Sequence, residues 1–233
     1  PDDLVEFSRQ TYAKPQSVES WAEQNLVDSG LGDAEQELLA ALPFKTGKLL
    51  LLGVGGGREA IPLARIGFQV TGVDYVPALV ERAIENAAQR GVVIEGLVQD
   101  ISRLEVPAGA YDVVWISEAM YSCVPTRARR VEMVSRISQS LKPGGFFICQ
   151  YHWGEHQQSA DKYRFIRRLI AACTFGNLAY EDGDVLWGNA EFIHIFTAEQ
   201  AVRGELEAGG LAVLEIKRGQ SVRRGSAVCQ KSG

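Results

Sequence analysis

The chain predicts an α/β protein: a doubly wound, mostly parallel, seven-stranded sheet of the Rossmann-like kind, with an antiparallel strand pair at its C-terminal end. Three observations lead there. Between Lys48 and Ile148 short apolar runs alternate with amphipathic stretches, the pattern of βαβ units on a parallel sheet. The first run, KLLLL at 48–52, is apolar at successive positions, as a strand covered on both faces requires. A glycine-rich turn, Gly53 to Gly57, follows it directly.

Residues 4–42 read as two or three short amphipathic helices before the first strand. FQVTGVD at 68–74, IEGLVQD at 94–100, YDVVWIS at 111–117 and GGFFICQY at 144–151 supply strands two to five. Pro77 opens the helix after the second strand and Gly91 lies just past its end. Within it Leu79, Val80, Ala83, Ile84, Ala87 and Ala88 recur at helical spacing and form one apolar stripe. The stretch 127–141 repeats that pattern and stops at Lys142-Pro143-Gly144-Gly145. The tail predicts a helix over 198–208, then two strands, LAVLEIKRG and SAVCQKS, as the antiparallel pair. Residues 152–190 are too long for an ordinary loop and predict an inserted segment with a helix over 161–173. The expected organisation is one domain over 1–233, with an N-terminal helical cap at about 4–42 and an inserted lid at about 152–190.

Composition narrows the partners. The 233 residues carry a net charge of −5, which disfavours a duplex nucleic-acid partner, because phosphates call for a basic surface. The cysteines Cys123, Cys149, Cys173 and Cys229 are scattered without a CxxC pair, so a reduced, cytoplasmic protein without a metal site is expected. No apolar run reaches bilayer-spanning length, so no membrane partner is expected, and the start PDDLVEFSRQ lacks the form of a signal peptide.

In an open parallel sheet ligands sit beyond the carboxyl ends of the strands, where strand order reverses. The turn Leu52-Gly53-Val54-Gly55-Gly56-Gly57 therefore marks the candidate site. Gly53, Gly55 and Gly57 leave no Cβ between backbone and ligand, and the next helix, from about Arg58, points its amides there. Gly55-x-Gly57-x-x-Ala60 formally matches a dinucleotide fingerprint, so an NAD-dependent oxidoreductase is one reading. Counted from Gly53, however, the third fingerprint position is Arg58, too large for close helix packing.

The run LLLLGVGGGREAIPLARIGFQVTGVD, followed by VDYVPALVERA, VQDISRL, YDVVWISEAMY and LKPGGFFI, resembles the class I S-adenosylmethionine-dependent methyltransferases of small molecules. The resemblance covers roughly 48–150 and rests on order and spacing together. It implies S-adenosylmethionine as cofactor, bound at Gly53, Gly55, Gly57, Asp74, Tyr75, Asp100, Ile101 and Ser117. Asp74 would hold both ribose hydroxyls, or cap the following helix, or do both. Asp100 with Ile101 would meet the adenine, or Asp100 would act as a loop cap. Ser117 would touch the methionine part. One position departs: the family's acid two before the first turn glycine is Leu51 here, so another group must meet the ammonium.

Methyl transfer is an in-line displacement, and a base is needed only when the acceptor carries a proton. Glu118 and Tyr121, after strand four, are candidates to contact substrate or to pack the loop. That loop reads SEAMYSCVP, not the N/D-P-P-Y/F/W of amino-methylating families. His152, ending strand five, is a candidate general base or a structural histidine. His152, Glu155 and His156 would need a helix to hold a metal, which Gly154 opposes, and His194 sits on an apolar strand-like run. Phe7, Tyr12, Trp21, Tyr163, Phe165, Phe175 and Trp187, in the cap and the insert, suggest an apolar pocket for a small organic acceptor, or simple helix packing. Arg127, Arg129, Arg130, Arg164, Arg167 and Arg168 could receive an acidic substrate or form solvated helix faces. The competing readings are the oxidoreductase and a non-catalytic S-adenosylmethionine-binding protein.

Overall fold

The computed structural model describes residues 2–154, 181–187, 191–218 and 223–232. The expected helix over 161–173, with Glu155, His156, Tyr163, Arg164, Phe165, Arg167, Arg168, Cys173 and Phe175, lies outside these residues.

Four helices come first, where two or three were expected: α1 (Asp2–Tyr12), α2 (Pro15–Trp21), α3 (Gln24–Ser29) and α4 (Asp33–Ala40). The breaks have local causes. Pro15 occupies the first turn of α2, where its missing N–H costs nothing, and Gly30 ends α3 at φ 64°. Then follow β1 (Gly47–Leu52), α5 (Ala60–Ile66), β2 (Phe68–Asp74), α6 (Pro77–Gln89), β3 (Glu95–Val98), β4 (Tyr111–Ile116), α7 (Arg127–Ser140) and β5 (Leu141–His152). The described chain continues with β6 (Asp184–Trp187), β7 (Glu191–His194), α8 (Glu199–Ala208), β8 (Leu211–Arg218) and β9 (Arg224–Lys231).

The main sheet has seven strands in the order β3-β2-β1-β4-β5-β9-β8. The first five are parallel; β9 runs antiparallel to both β5 and β8, as the tail predicts. Strand order reverses between β1 and β4, which places the switch point above Leu52 and Ile116. A separate antiparallel pair joins β6 to β7.

The leucine run explains the sheet's position. Leu49 and Leu51 pack on one face with Val113, Trp115 and Ile148; Leu50 and Leu52 pack on the other with Val114, Ile116 and Phe147. All four leucines are fully buried. Each contributes on the order of 2 kcal/mol relative to exposure, so a polar residue anywhere in the run would be costly.

Three boundaries differ from expectation. β3 stops at Val98 because the Gln99 amide side chain turns to the backbone of Glu105 and Asp100 caps a short 3-10 turn over Ile101–Arg103. α5 begins at Ala60, two residues after the expected start. Lys142-Pro143-Gly144-Gly145 lies inside β5 as a bulge, not before it: Tyr111 pairs with Leu141 while Val113 pairs with Phe146, and Gly144 turns the chain at φ 74°.

Candidate active site

The turn after β1 is fixed to the neighbouring strand. The amides of Gly53 and Val54 both donate to the Val73 carbonyl, at 2.8 and 2.9 Å. Gly53 stands at φ 87° and Gly55 at φ 49°, which favour glycine. A Cβ at Gly53 would strike the Met120 sulfur at 2.1 Å, so the loop after β4 closes directly over the turn. At Gly55 a Cβ would meet nothing within 4 Å, and this glycine faces a cavity. Gly56, which the sequence reading passed over, has the tightest backbone constraint: its Cβ would come 2.3 Å from the Trp21 carbonyl oxygen at the end of α2.

The cavity measures about 500 Å³ and lies beyond the carboxyl ends of β1, β2 and β4. Gly53, Gly55, Asp74, Tyr75, Asp100, Ile101 and Ser117 all line it, so the structure brings most of the expected cofactor residues to one wall. Val5, Tyr12 and Trp21 of α1 and α2 line it too, together with His152, Trp153, Ile193 and Ile195. Phe7, by contrast, is an exposed cap residue and does not line it. Gly57 is absent from the lining; it supports the turn through its amide, which donates to the Val54 carbonyl at 2.9 Å.

Asp74 ends β2 with its carboxylate turned back on the glycine turn. One oxygen accepts from the Gly55 amide and the other from the Val76 amide, each at 3.1 Å. Val76, not Asp74, is the N-cap of α6. Burial raises the Asp74 pKa to about 6, against the pull of the amides of Val76, Gly55 and Tyr75. Asp100 does cap: one oxygen accepts from the Ser102 amide and hydroxyl, both at 2.8 Å, and Arg129 approaches the other at 3.4 Å.

The catalytic candidates separate. His152, at the end of β5, lines the cavity; its backbone amide donates to the Ser122 hydroxyl at 2.8 Å. Glu118 lines it in a left-handed conformation, φ 48°. Its oxygens accept from Arg58 at 2.8 Å and from Arg224. Tyr121 is not on the cavity. It is fully buried, stacks on Phe196 with ring centroids 5.9 Å apart, and donates to Glu205 at 2.9 Å. Its hydroxyl thus faces Glu205 and not the cavity.

Two arginines of the run after this loop, Arg129 and Arg130, are also paired. Arg130 is 1 % exposed, donates twice to Glu205 at 2.8 Å and reaches Glu181 at 2.9 Å. It is a buried charge tying α7 to α8, not a solvated one. Glu181, Asp184 and His194 bring ligand-type atoms within 4.8 Å of one another, but the guanidinium already on Glu181 opposes a metal ion.

Sequence reasoning missed a second cluster, at the Ser117 end of the cavity. Arg58 holds Glu35 through two hydrogen bonds of 2.7 and 2.9 Å and Glu59 at 2.6 Å, besides Glu118. Glu59 is 3 % exposed and accepts from the Ser117 hydroxyl. Burial, reinforced by the charges of Glu35 and Glu118, raises its pKa to about 7 although Arg58 and Ser117 pull it down. The visible signal was Arg58-Glu59 straight after the turn, a charge pair where a helix must tuck against the sheet.

A family model described as a methyltransferase domain matches residues 50–149. The ubiquinone biosynthesis O-methyltransferase of Cereibacter sphaeroides is 33% identical over 115 residues, 49% of this chain and 45% of its own. That of Paramagnetospirillum magneticum is 37% identical over 106 residues, 46% of this chain and 41% of its own. The chain spans about half the length of the curated relatives it matches. Among solved structures, an S-adenosylmethionine-dependent methyltransferase of Methanosarcina mazei aligns with a TM-score of 0.66 at 20% identity, covering 87% of this chain and 99% of that one. The CcbJ methyltransferase of Streptomyces caelestis aligns with a TM-score of 0.63 at 18% identity, covering 91% and 98%. Such identities speak for fold, and the matched core at 50–149 carries the glycine turn, Asp74, Asp100 and Ser117 together. Residues 50–149 thus match the methyltransferase domain family, and the fold is one shared with S-adenosylmethionine-dependent methyltransferases of known structure.

Proposed function

We propose that this chain transfers a methyl group from S-adenosylmethionine to a hydroxyl oxygen of a small organic acceptor. The single observation that carries the reading is the cavity wall itself: Gly55 open to the cavity, with Asp74, Asp100, Ile101 and Ser117 beside it. The residues fit the cofactor. The Asp74 carboxylate has room to accept from ribose hydroxyls in addition to its two amides, since each oxygen has more than one acceptor direction. Ile101 offers an apolar face for a purine, and Gly55 leaves the space a Cβ would fill.

When bound, the cofactor supplies a methyl carbon on a sulfonium, open to attack from the side opposite sulfur. The chain's share is placement and proton handling. Val124, Ile193, Ile195 and Trp153 give the acceptor region apolar walls that exclude water. His152 lines the same cavity, where its imidazole would take the proton of an acceptor hydroxyl. A hydroxyl acceptor is favoured because the curated relatives are named O-methyltransferases.

Thermal unfolding separates this reading from the dinucleotide one. S-adenosylhomocysteine at a hundred times its dissociation constant stabilises the fold by about 2.7 kcal/mol, and NAD gives no protection. Protection by NAD alone would overturn it.

A further inference from the structure

The acid expected at Leu51 is absent: that leucine is fully buried in the core cluster with Val113 and Trp115. Charge is supplied instead by the Arg58 cluster, which meets the cavity through Ser117 and Glu118. We propose that Glu59 is a positioning residue whose ionised carboxylate, held by Arg58 and Ser117 behind the cavity wall, makes the site select the positively charged methyl donor over its neutral product. The inference rests on the cavity being the S-adenosylmethionine site.

The argument is one of charge balance. Oxygens of Glu35, Glu59 and Glu118 lie within 4.8 Å of one another. Arg58 bonds to all three, and Arg224 holds the far oxygen of Glu118. Three carboxylates against two guanidiniums leave one negative charge when all are ionised. Glu59 is the member able to shed it. It is the deepest, and its pKa of about 7 follows from burial first, with Arg58 drawing it down, Glu35 pushing it up, Ser117 drawing it down and Glu118 pushing it up.

Among the described residues, the charged groups that act on it all belong to this balance. Glu35 comes from α4, Arg58 from the turn before α5, Glu118 from the loop after β4, and Arg224 from β9 behind Glu118. Asp74 titrates on the other side of the glycine turn, with a pKa of about 6. Near neutrality the cluster therefore passes between neutral and singly negative.

The donor carries a sulfonium, an ammonium and a carboxylate, a net charge of +1. The product has lost the sulfonium and is neutral overall. A net positive ligand beside the cluster draws the proton off Glu59; a neutral one has no such hold. Asp74, facing a ribose common to both, shifts the two affinities alike. Their ratio isolates Glu59.

The test is calorimetry with S-adenosylmethionine and with S-adenosylhomocysteine at about pH 6 and about pH 7, each in two buffers of different ionisation heat. A group titrating at about 7 goes from roughly a tenth to a half ionised over that interval, so the preference for donor over product rises about fivefold. Donor binding releases a proton that product binding does not. In Glu59→Gln the ratio becomes independent of pH and the released proton disappears, while product affinity stays within about twofold. Parallel changes for both ligands in the wild-type chain, or an undiminished difference in Glu59→Gln, would overturn the proposal. The wild-type ratio and proton release decide it even if the variant folds poorly. Failure to bind either ligand at both pH values would refute the cofactor reading itself.

Discussion

The carboxylate of Asp74 accepts a hydrogen bond from the amide of Gly55 at 3.1 Å, which ties the end of β2 to the glycine turn after β1. The bond joins the residue expected at the ribose to the glycine turn expected to leave no Cβ between backbone and ligand. It also fixes the one glycine of this turn whose Cβ would stand in open space.

Gly55 and Gly56 should respond differently to alanine. Gly55→Ala places its methyl in the cavity and costs the empty protein about 1–2 kcal/mol for the left-handed backbone, while weakening S-adenosylhomocysteine binding at least about tenfold. Gly56→Ala drives its methyl into the Trp21 carbonyl, so it lowers the melting temperature more and loosens α2. Thermal unfolding and calorimetry on both variants check this; equal effects of the two would contradict it.

Asp74 makes stability and function pull apart. Its pKa is raised from 3.8 to about 6 on folding, so its ionisation costs stability. The cost is absent below about pH 4 and complete above about pH 6. Relative to wild type, Asp74→Asn should therefore gain on the order of 1–3 kcal/mol between about pH 4 and pH 7, on top of a constant loss for its altered hydrogen bonds. Urea unfolding across that range reads the difference, and a pH-independent gap would show that burial does not perturb this carboxyl.

His152→Gln should lower kcat by about a hundredfold or more and leave S-adenosylhomocysteine affinity within about twofold. Tyr121→Phe should leave kcat near wild type and cost about 1–2 kcal/mol of stability, because only the bond to Glu205 is lost. Steady-state kinetics and denaturant titration distinguish the two; a Tyr121→Phe enzyme that folds but does not turn over would return Tyr121 to the reaction.

Arg130→Met should destabilise the fold by about 3–5 kcal/mol, because it leaves Glu205 charged and buried. Adding Glu205→Leu should recover much of the loss. A double variant no better than the single one would mean that the pair contributes more than it costs.

The sheet was legible because its period and punctuation are local. KLLLL, FQVTGVD and YDVVWIS each announce a strand buried on both faces, and Pro77 and Gly91 bracket α6. The grouping of these residues on one cavity followed from the topology, since residues at the carboxyl ends of adjacent parallel strands must converge. What escaped was carried by partners far apart in sequence. Arg58 looked like a misfit in a fingerprint until Glu35, 23 residues earlier, and Glu118, 60 residues later, closed around it. Tyr121 and Arg130 read as loop and surface residues because nothing nearby shows that Glu205, in α8, will bury their polar ends. Four cap helices, where two or three were expected, turn on Pro15 and Gly30, signals present but given too little weight.

The most direct measurement is calorimetric titration of the chain with S-adenosylhomocysteine, run beside Asp74→Ala. The expected result is one site per chain, weakened about tenfold or more in the variant through loss of charged hydrogen bonds to the ribose. No heat of binding at millimolar ligand, or an unchanged dissociation constant in Asp74→Ala, would contradict the assignment of this cavity to the methyl donor.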